Sequence, residues 1–404
     1  MKSPASLRAD FPLLNTQFEH APLVYLDSGA TSQKPSCVIE AISRYYSEQN
    51  ANVHRGIHTL SEQATTAYEA TRTQLAKYLS VSSSEIVWTK GATEAINLIA
   101  YGLRDTIDSS DTIVISALEH HANIVPWQQL CQKTGAKLIV LPINELGILE
   151  IDNAYQIIEQ AQPTVLALSH ASNALGNIQP IESLIQFSKQ FNTITVIDGA
   201  QGFLHLQPNL KELDCDYYVL SAHKALGPTG LGALYGKYEA LCALPVYQTG
   251  GEMIDSVSFE HTTFAAPPAK FEAGTPNISA VIAFKSALEY LESLNHTHIR
   301  AYELELFNYL VKSLRAIDGI KIYGDLINNI GTVSFNYKNE HPYDIAHLLD
   351  QNGIAVRSGH HCTQPLMAHL NVSGTVRVSL AFYNNHQDID LFITALKTAI
   401  SLLD

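Results

Sequence analysis

Positive charge is scarce in this chain. Its 404 residues carry 25 Lys and Arg against 39 Asp and Glu, a formal net charge of −14. Nucleic acids and anionic membranes are bound chiefly by Lys and Arg that neutralise phosphates, so neither is expected as a partner. Long apolar runs are missing too, and no stretch approaches the ~20 residues that span a bilayer as a helix. The first 20 residues hold Arg8, Asp10 and two prolines but no apolar segment, so a secretory signal is not expected and a cytoplasmic protein is. Cysteine is sparse: the five, at 37, 131, 215, 242 and 362, form no Cys-x-x-Cys pair and no metal-ligand spacing. Neither structural disulfides nor a metal site is expected. Cys37, Cys131, Cys215 and Cys242 lie in apolar or helical contexts and read as small core residues. Cys362 stands apart, set among basic groups in Arg357-Ser-Gly-His-His-Cys-Thr-Gln-Pro365.

An apolar content of 46% over this length suits two domains with cores of their own. Apolar runs at Thr112–Ser116, Lys137–Leu141, Thr164–Ser169, Ile194–Ile197 and Tyr217–Leu220 alternate with amphipathic segments near 123–134, 152–161 and 180–191. That alternation predicts an α/β fold with a mostly parallel sheet covered on both faces. Upstream, LVYLDSGAT reads as a short strand entering a small-residue turn; helical periodicity spans 36–50 and 61–79, with a loop at 52–59. Residues 255–277, rich in Pro and Ala, read as an extended loop. A long helical stretch at 279–294 continues into 299–314. Beyond it, IKIYG, GTVSFNY, AVRSG and TVRVSLA read as short strands interleaved with helices at 342–352 and 386–403. The expected organisation is an N-terminal arm (1–20), a large domain (21–294) and a smaller α+β domain (295–404), with the arm packed on the last.

The stretch Val196–Gly232 carries the first chemical signal. One apolar run stops at Asp198, and another at Ser221-Ala222-His223-Lys224. In an open α/β sheet the carboxyl ends of the strands are where ligands bind, so this carboxylate and this amine are placed to face one cavity. An imine-forming Lys needs a desolvated site, and pyridoxal 5′-phosphate (PLP) needs such a Lys with a carboxylate on its ring nitrogen. Gly91-Ala92-Thr93-Glu94 follows the strand-like IVWTK and opens a helix, so the N–H groups of Ala92 and Thr93 point outward at an anion; an ordinary helix start reads the same way. Arg357 and Arg377 lie in strand-like segments, where a planar guanidinium can pair with a carboxylate or simply face solvent. The Cys362 thiol, with His and Arg nearby to favour the thiolate, has the surroundings of a nucleophile.

DGAQ followed by SAHKALGPTGLG resembles the cofactor-lysine segment of class V aminotransferase-type PLP enzymes, in particular the SufS/CsdA-type cysteine desulfurases. The likeness recurs in order at LDSGATSQKP (26–35), NVHRGIHTLSEQAT (52–65), GATEAINL (91–98), LEHHANIVPWQ (118–128), FEAGTPN (271–277) and VRSGHHCTQPLM (356–367). The resemblance implies a fold type I large domain, PLP on Lys224, and a homodimer with its active site across the interface. It implies phosphate ligands Ser221 and His223, with Thr275 reaching over from the neighbouring subunit. His120 would stack on the ring and move protons, Asp198 would hold the pyridine nitrogen, and Gln201 and Asn173 would stand near the ring oxygen. Arg377 would anchor the substrate carboxylate with Arg357 close by, and His54 and Arg55 are further substrate-binding candidates. His121 has no assigned role.

By the same resemblance Lys224 removes the α-proton of PLP-bound L-cysteine and Cys362 attacks its sulfur, leaving alanine and a persulfide for an acceptor. HHCTQP runs promptly into the helix-like LMAHL, and so short a loop implies a dedicated SufE- or CsdE-like acceptor protein. SGHHC and YNNH lean towards SufS, CTQPL and SGTVR towards CsdA, and the two remain open. Gly29-Ala30-Thr31, the Ala of SAHKALG and Thr363 depart from the relatives by small steric changes. The alternatives are a selenocysteine lyase or another class V lyase or aminotransferase, and a non-catalytic scaffold of the same fold.

Overall fold

Seven apolar runs pair into one sheet: β1 (Ile86–Thr89), β2 (Thr112–Ser116), β3 (Lys137–Leu141), β4 (Val165–Ser169), β5 (Ile194–Asp198), β6 (Tyr217–Ser221) and β7 (Gly232–Gly236). The computed structural model describes residues 4–18 and 21–403; the expected arm's 1–3 and 19–20 lie outside the described residues. The lateral order is β1-β7-β6-β5-β4-β2-β3, with β7 antiparallel to both neighbours and the remaining pairs parallel. β1, β2, β4, β6 and β7 are buried at every position, as sheets covered by helices on both faces require. At the sheet edge, β3 is partly exposed. β7 escaped the sequence reading because GLGALYG has glycine at three of its seven positions and looks like a turn.

The register aligns the strand ends, with Ser169 opposite Asp198 and Ser221 opposite Gly232. Thus the polar residues that close each apolar run gather on one edge. Helices Ser36–Arg44, Thr59–Leu79 and Ile278–Ser293 pack together over one face. The long helical stretch breaks where Asn295 caps a new helix, His296–Arg315, its side chain accepting the His298 N–H.

A second sheet holds β8 (Ile320–Tyr323), β9 (Thr332–Tyr337), β10 (Arg357–Gly359) and β11 (Thr375–Ser379) in the order β8-β9-β11-β10, antiparallel throughout. Its core joins Phe335, Val376 and Phe392 to Val24 and Leu26 from far upstream. Val24–Tyr25 pairs in parallel with Ile354–Ala355, which delivers Asp27 beside Ser379 at the end of β11.

Two expectations are corrected. Residues 255–277 are not simply extended loop: Ile254–Val257 pairs with Thr262–Phe264 as a hairpin. Its strands are polar and mostly exposed, so no apolar alternation announced them. Cys242 is exposed, because the short helix Tyr238–Ala243 turns Leu241 inward and its neighbour out; Cys37 is half-buried, while Cys131 and Cys215 are buried as expected.

Candidate active site

The carboxyl ends of β1, β2, β4, β5 and β6 open onto a cavity of about 280 Å³, completed by residues of the second sheet. At the end of β1, Gly91 starts the helix Ala92–Gly102, whose first residues, Ala92 and Thr93, line the cavity. A Cβ at Gly232 would come within 2.4 Å of the Gly91 Cα, so β7 passes directly behind this turn only because it carries glycine there. The Ala92 N–H donates to Ser221 Oγ at 2.9 Å, which ties the helix start to the end of β6. Of the two backbone groups read as anion donors, one is therefore paired within the protein.

Beyond Ser221, the turn Ala222–Lys224 brings His223 and Lys224 to the cavity wall. The His223 carbonyl gathers the Ser32 N–H (3.0 Å), the Thr31 and Ser32 hydroxyls (3.0 and 3.1 Å) and the Lys34 ammonium (2.8 Å), so the segment Thr31–Lys34 fixes the turn from outside. Burial lowers the Lys34 pKa to about 8. Burial also holds the Lys224 amine below its ordinary range, against the opposing pull of Asp198 and with help from Arg377. Burial first, then the Lys224 and Lys34 charges, lowers His223 to about 4. Asp198, buried at the end of β5, accepts the Ala200 N–H at 2.9 Å. Gln201 donates to the Gly29 carbonyl at 2.7 Å.

His120 follows β2. Burial lowers its pKa to about 4, so the ring is neutral near pH 7. Its Nδ1 accepts the Ala122 N–H at 3.0 Å, which leaves the ring proton on Nε2. The residue before it, Glu119, is fully buried and accepts from the Ser116 hydroxyl (2.5 Å), the Ser169 N–H and hydroxyl (3.0 and 2.5 Å) and Asn123 (2.7 Å). Burial outweighs those bonds and raises its carboxyl to about 7. This group locks β2 to β4 one residue before His120.

The opposite wall comes from the second sheet. Arg357 and Arg377 lie directly across from each other on β10 and β11, and both reach Asp27: Arg377 Nη2 at 2.8 Å, Arg357 Nη2 at 2.9 Å. Two guanidinium groups on one carboxylate leave one positive charge in excess. Arg377 is 2% exposed, its Nη1 donates to the Asn173 carbonyl at 2.9 Å, and its buried Nε has no hydrogen-bond partner among the described residues. Cys362 is exposed at the cavity rim, in the loop of residues 360–363 between β10 and the helix Gln364–His369. Asn173 donates to the His361 carbonyl at 2.7 Å, so it holds the thiol's loop.

Of the residues read from sequence, Ala92, Thr93, His120, Asn173, Asp198, Gln201, Ser221, His223, Lys224, Arg357, Cys362 and Arg377 all line this one cavity. His54, Arg55 and Thr275 do not. His54 and Arg55 pair with Glu69 (3.0 Å) and Glu252 (3.2 Å) around a separate cavity of about 450 Å³, and Thr275 lines a third, beside Lys90 and Glu94. Gly274 and Pro276 border both of these cavities, so the three outliers share one neighbourhood. Sequence reasoning missed Asp27, Lys34 and Glu119. Only Glu119 left a local trace, an acid wedged between an apolar run and two histidines.

An amine, a carboxylate, a helix N-terminus and a thiol around one cavity at the strand ends of an α/β sheet define an enzyme of the imine-forming kind. The chain belongs to the aminotransferase class-V family, whose model matches residues 24–392. It is 45% identical to a probable cysteine desulfurase of Vibrio cholerae over 98% of both chains, and 44% identical to a cysteine desulfurase of Cronobacter sakazakii over 96% of both. Among solved structures it matches the apo cysteine desulfurase of Thermococcus onnurineus (37% identity, TM-score 0.95, 99% of both chains). It also matches the Escherichia coli cysteine desulfurase CsdA in an S-sulfonic acid form (37% identity, TM-score 0.92, 100% of this chain and 99% of that one).

Proposed function

We propose that the protein is a PLP-dependent cysteine desulfurase, which converts L-cysteine to L-alanine and passes the sulfur through Cys362 to an acceptor. One observation carries the reading: Lys224 from the large sheet and Cys362 from the small one line the same cavity. The donor set fits PLP. A helix N-terminus with Thr93, Ser221 and His223 suits its phosphate, and Asp198 suits its pyridine nitrogen. When bound, PLP supplies an aldehyde and a ring that accepts the electron pair released at the α-carbon.

The chain's own residues do the rest. The lowered pKa of Lys224 makes its free amine available as the anchoring group and as the base for the α-proton. His120, neutral near pH 7, would pack on the bound cofactor and move protons, and Gln201 and Asn173, on the same cavity wall, would be polar partners for it. Arg377, on the cavity wall, holds the substrate carboxylate, with Arg357 beside it. Cys362 Sγ bonds to the substrate sulfur as the C–S bond breaks; that bond's electron pair stays with the carbon fragment, which is protonated to alanine.

Supporting a dimeric site, His54, Arg55 and Thr275 lie together outside this chain's cavity and in this reading complete the cavity of a second copy. An exposed thiol on a four-residue loop supports a SufE- or CsdE-like acceptor that comes to the rim. Among the described residues no helix is long and apolar enough to cross a membrane, and we place the protein in the cytoplasm. The test is alanine and sulfide release from L-cysteine by purified protein. Cys362→Ser is expected to keep the cofactor colour and lose sulfur transfer, and Lys224→Ala to lose the imine absorbance. Full desulfuration by Cys362→Ser would overturn the assignment.

A further inference from the structure

The nucleophile's loop is held in an unfavourable shape. His361 and Cys362 both adopt left-handed backbone conformations, φ 52° and 57°, which side chains other than glycine rarely take. Such a turn persists only where its surroundings over-determine it. Two of the restraints belong to the loop itself and the second sheet, and a third comes from the turn after β4 of the large sheet. The Thr363 hydroxyl folds back on the His360 carbonyl (2.8 Å), His361 Nε2 meets Thr375 Oγ1 (2.8 Å), and Asn173 grips the His361 carbonyl.

The remaining restraint comes from the segment after β2, and both halves of it lie on a single residue. The His121 N–H donates to the Cys362 carbonyl at 2.8 Å. Its ring Nε2 accepts the Gln364 N–H at 3.0 Å. Gln364 is the first residue of the helix Gln364–His369, so its N–H has no acceptor within that helix. His121 therefore brackets Cys362, gripping the chain at the residue itself and two residues on. It follows His120 directly, so β2 sets the ring of one and the loop contact of the other together.

We propose that His121 is a positioning residue for the nucleophile: its ring acceptor latches the Cys362 loop in the left-handed turn that points the thiol at the cavity. This rests on the reading of Cys362 as the sulfur-accepting thiol. With the latch in place, the thiol's approach is set by the same strand that carries the proton-moving ring. Without it, the loop keeps its contacts to Thr375 and Asn173 and loses the hold on Gln364, two residues past the thiol.

The test compares two variants of the holoenzyme. His121→Phe keeps a planar ring of similar size and the backbone N–H but removes the acceptor; His121→Gln restores an acceptor at the position of Nε2. Amide hydrogen exchange at Gln364 is expected to speed up at least tenfold in His121→Phe and to return toward wild type in His121→Gln. The kcat for alanine formation from L-cysteine is expected to fall about tenfold in the Phe variant, with KM and cofactor absorbance unchanged, and to recover in the Gln variant. Unchanged Gln364 exchange in His121→Phe, equal losses in both variants, or loss of cofactor absorbance along with rate would each overturn the proposal. The exchange measurement does not depend on what Cys362 does, so a failure of the desulfurase reading, seen in Cys362→Ser, is distinguishable from a failure of the latch.

Discussion

Replacing Asp27 with Asn removes one negative charge shared by two arginines, and its cost can be worked from their unequal burial. Two unit charges ~4 Å apart attract by about 4 kcal/mol at an effective dielectric of ~20. Arg377 is 2% exposed and takes nearly that full value, whereas the Arg357 side chain is 48% exposed and its share is reduced by solvent. An exposed pair of that kind contributes about 1 kcal/mol or less. Leaving a buried guanidinium without its counter-charge costs about 3–5 kcal/mol, and the Asn oxygen recovers about 1 kcal/mol as a neutral hydrogen bond. Asp27→Asn is thus expected to lose about 3 kcal/mol of stability, almost all of it through Arg377. Urea unfolding of Asp27→Asn, Arg377→Met, Arg357→Ala and the two double mutants reads both couplings. The Asp27–Arg377 coupling should exceed about 2 kcal/mol and the Asp27–Arg357 coupling stay below about 1 kcal/mol. An unshifted urea midpoint for Asp27→Asn, or a larger coupling to Arg357, would refute the reasoning.

The Glu119 carboxyl titrates near 7 in the fold and near ~4.3 when unfolded, so the folded state takes up a proton between those values. Its contribution to stability falls as pH rises from ~4.3 to about 7 and is level above; urea melts across that range should show Glu119→Gln gaining on wild type by up to about 4 kcal/mol, and a constant gap would contradict the assignment. His120 and His223, near 4, and His361, near 3, run the other way. With folded values below the unfolded ~6.5, their stabilisation is complete above that pH and is lost as pH falls through 4 towards 3, so single His→Gln variants should resist acid better than wild type in melts between pH 6.5 and 3. Gly232→Ala puts a Cβ 2.4 Å from the Gly91 Cα and 2.5 Å from the Leu220 carbonyl oxygen, both backbone. It should displace the helix start at Ala92 and weaken PLP binding at least tenfold by absorbance titration; unaltered affinity would mean the turn is not set by that approach.

The residues legible in the sequence are those whose work faces a ligand. Asp198, Ser221 and Lys224 each end an apolar run, and the rule that ligands sit at the carboxyl ends of parallel strands needs nothing more than the run to place them. The same rule drew the sheet, apart from β7, whose glycines serve close approach to Gly91 and look locally like a turn. Residues whose work faces other residues stayed hidden. Asp27 meets Arg377 across 350 positions of chain, and nothing in LDSGAT announces a carboxylate shared by two arginines. Lys34 holds a carbonyl 189 positions away. Glu119 and His121 stand on either side of a residue that was noticed, and each supports a neighbour only after β2, β4 and the Cys362 loop have come together.

That division has a mechanical consequence for the thiol. The Cys362 loop is set by contacts from two sheets: Thr375 from the small one, and, after β2 and β4 of the large one, His121 and Asn173, whose backbone carbonyl also holds Arg377. Any shift of one sheet against the other would move the thiol, the carboxylate-pairing guanidinium and the Lys224 amine relative to one another, because each wall carries part of the set. The arginines share Asp27 at the seam between the sheets, where the short upstream strand is stitched to Ile354–Ala355. The segment Leu26–Lys34 then runs on to the Lys224 turn and grips the His223 carbonyl. One continuous piece of chain therefore spaces the guanidinium from the amine, and loosening it at Asp27 should slow turnover as well as lower stability, without any change in the residues that touch substrate.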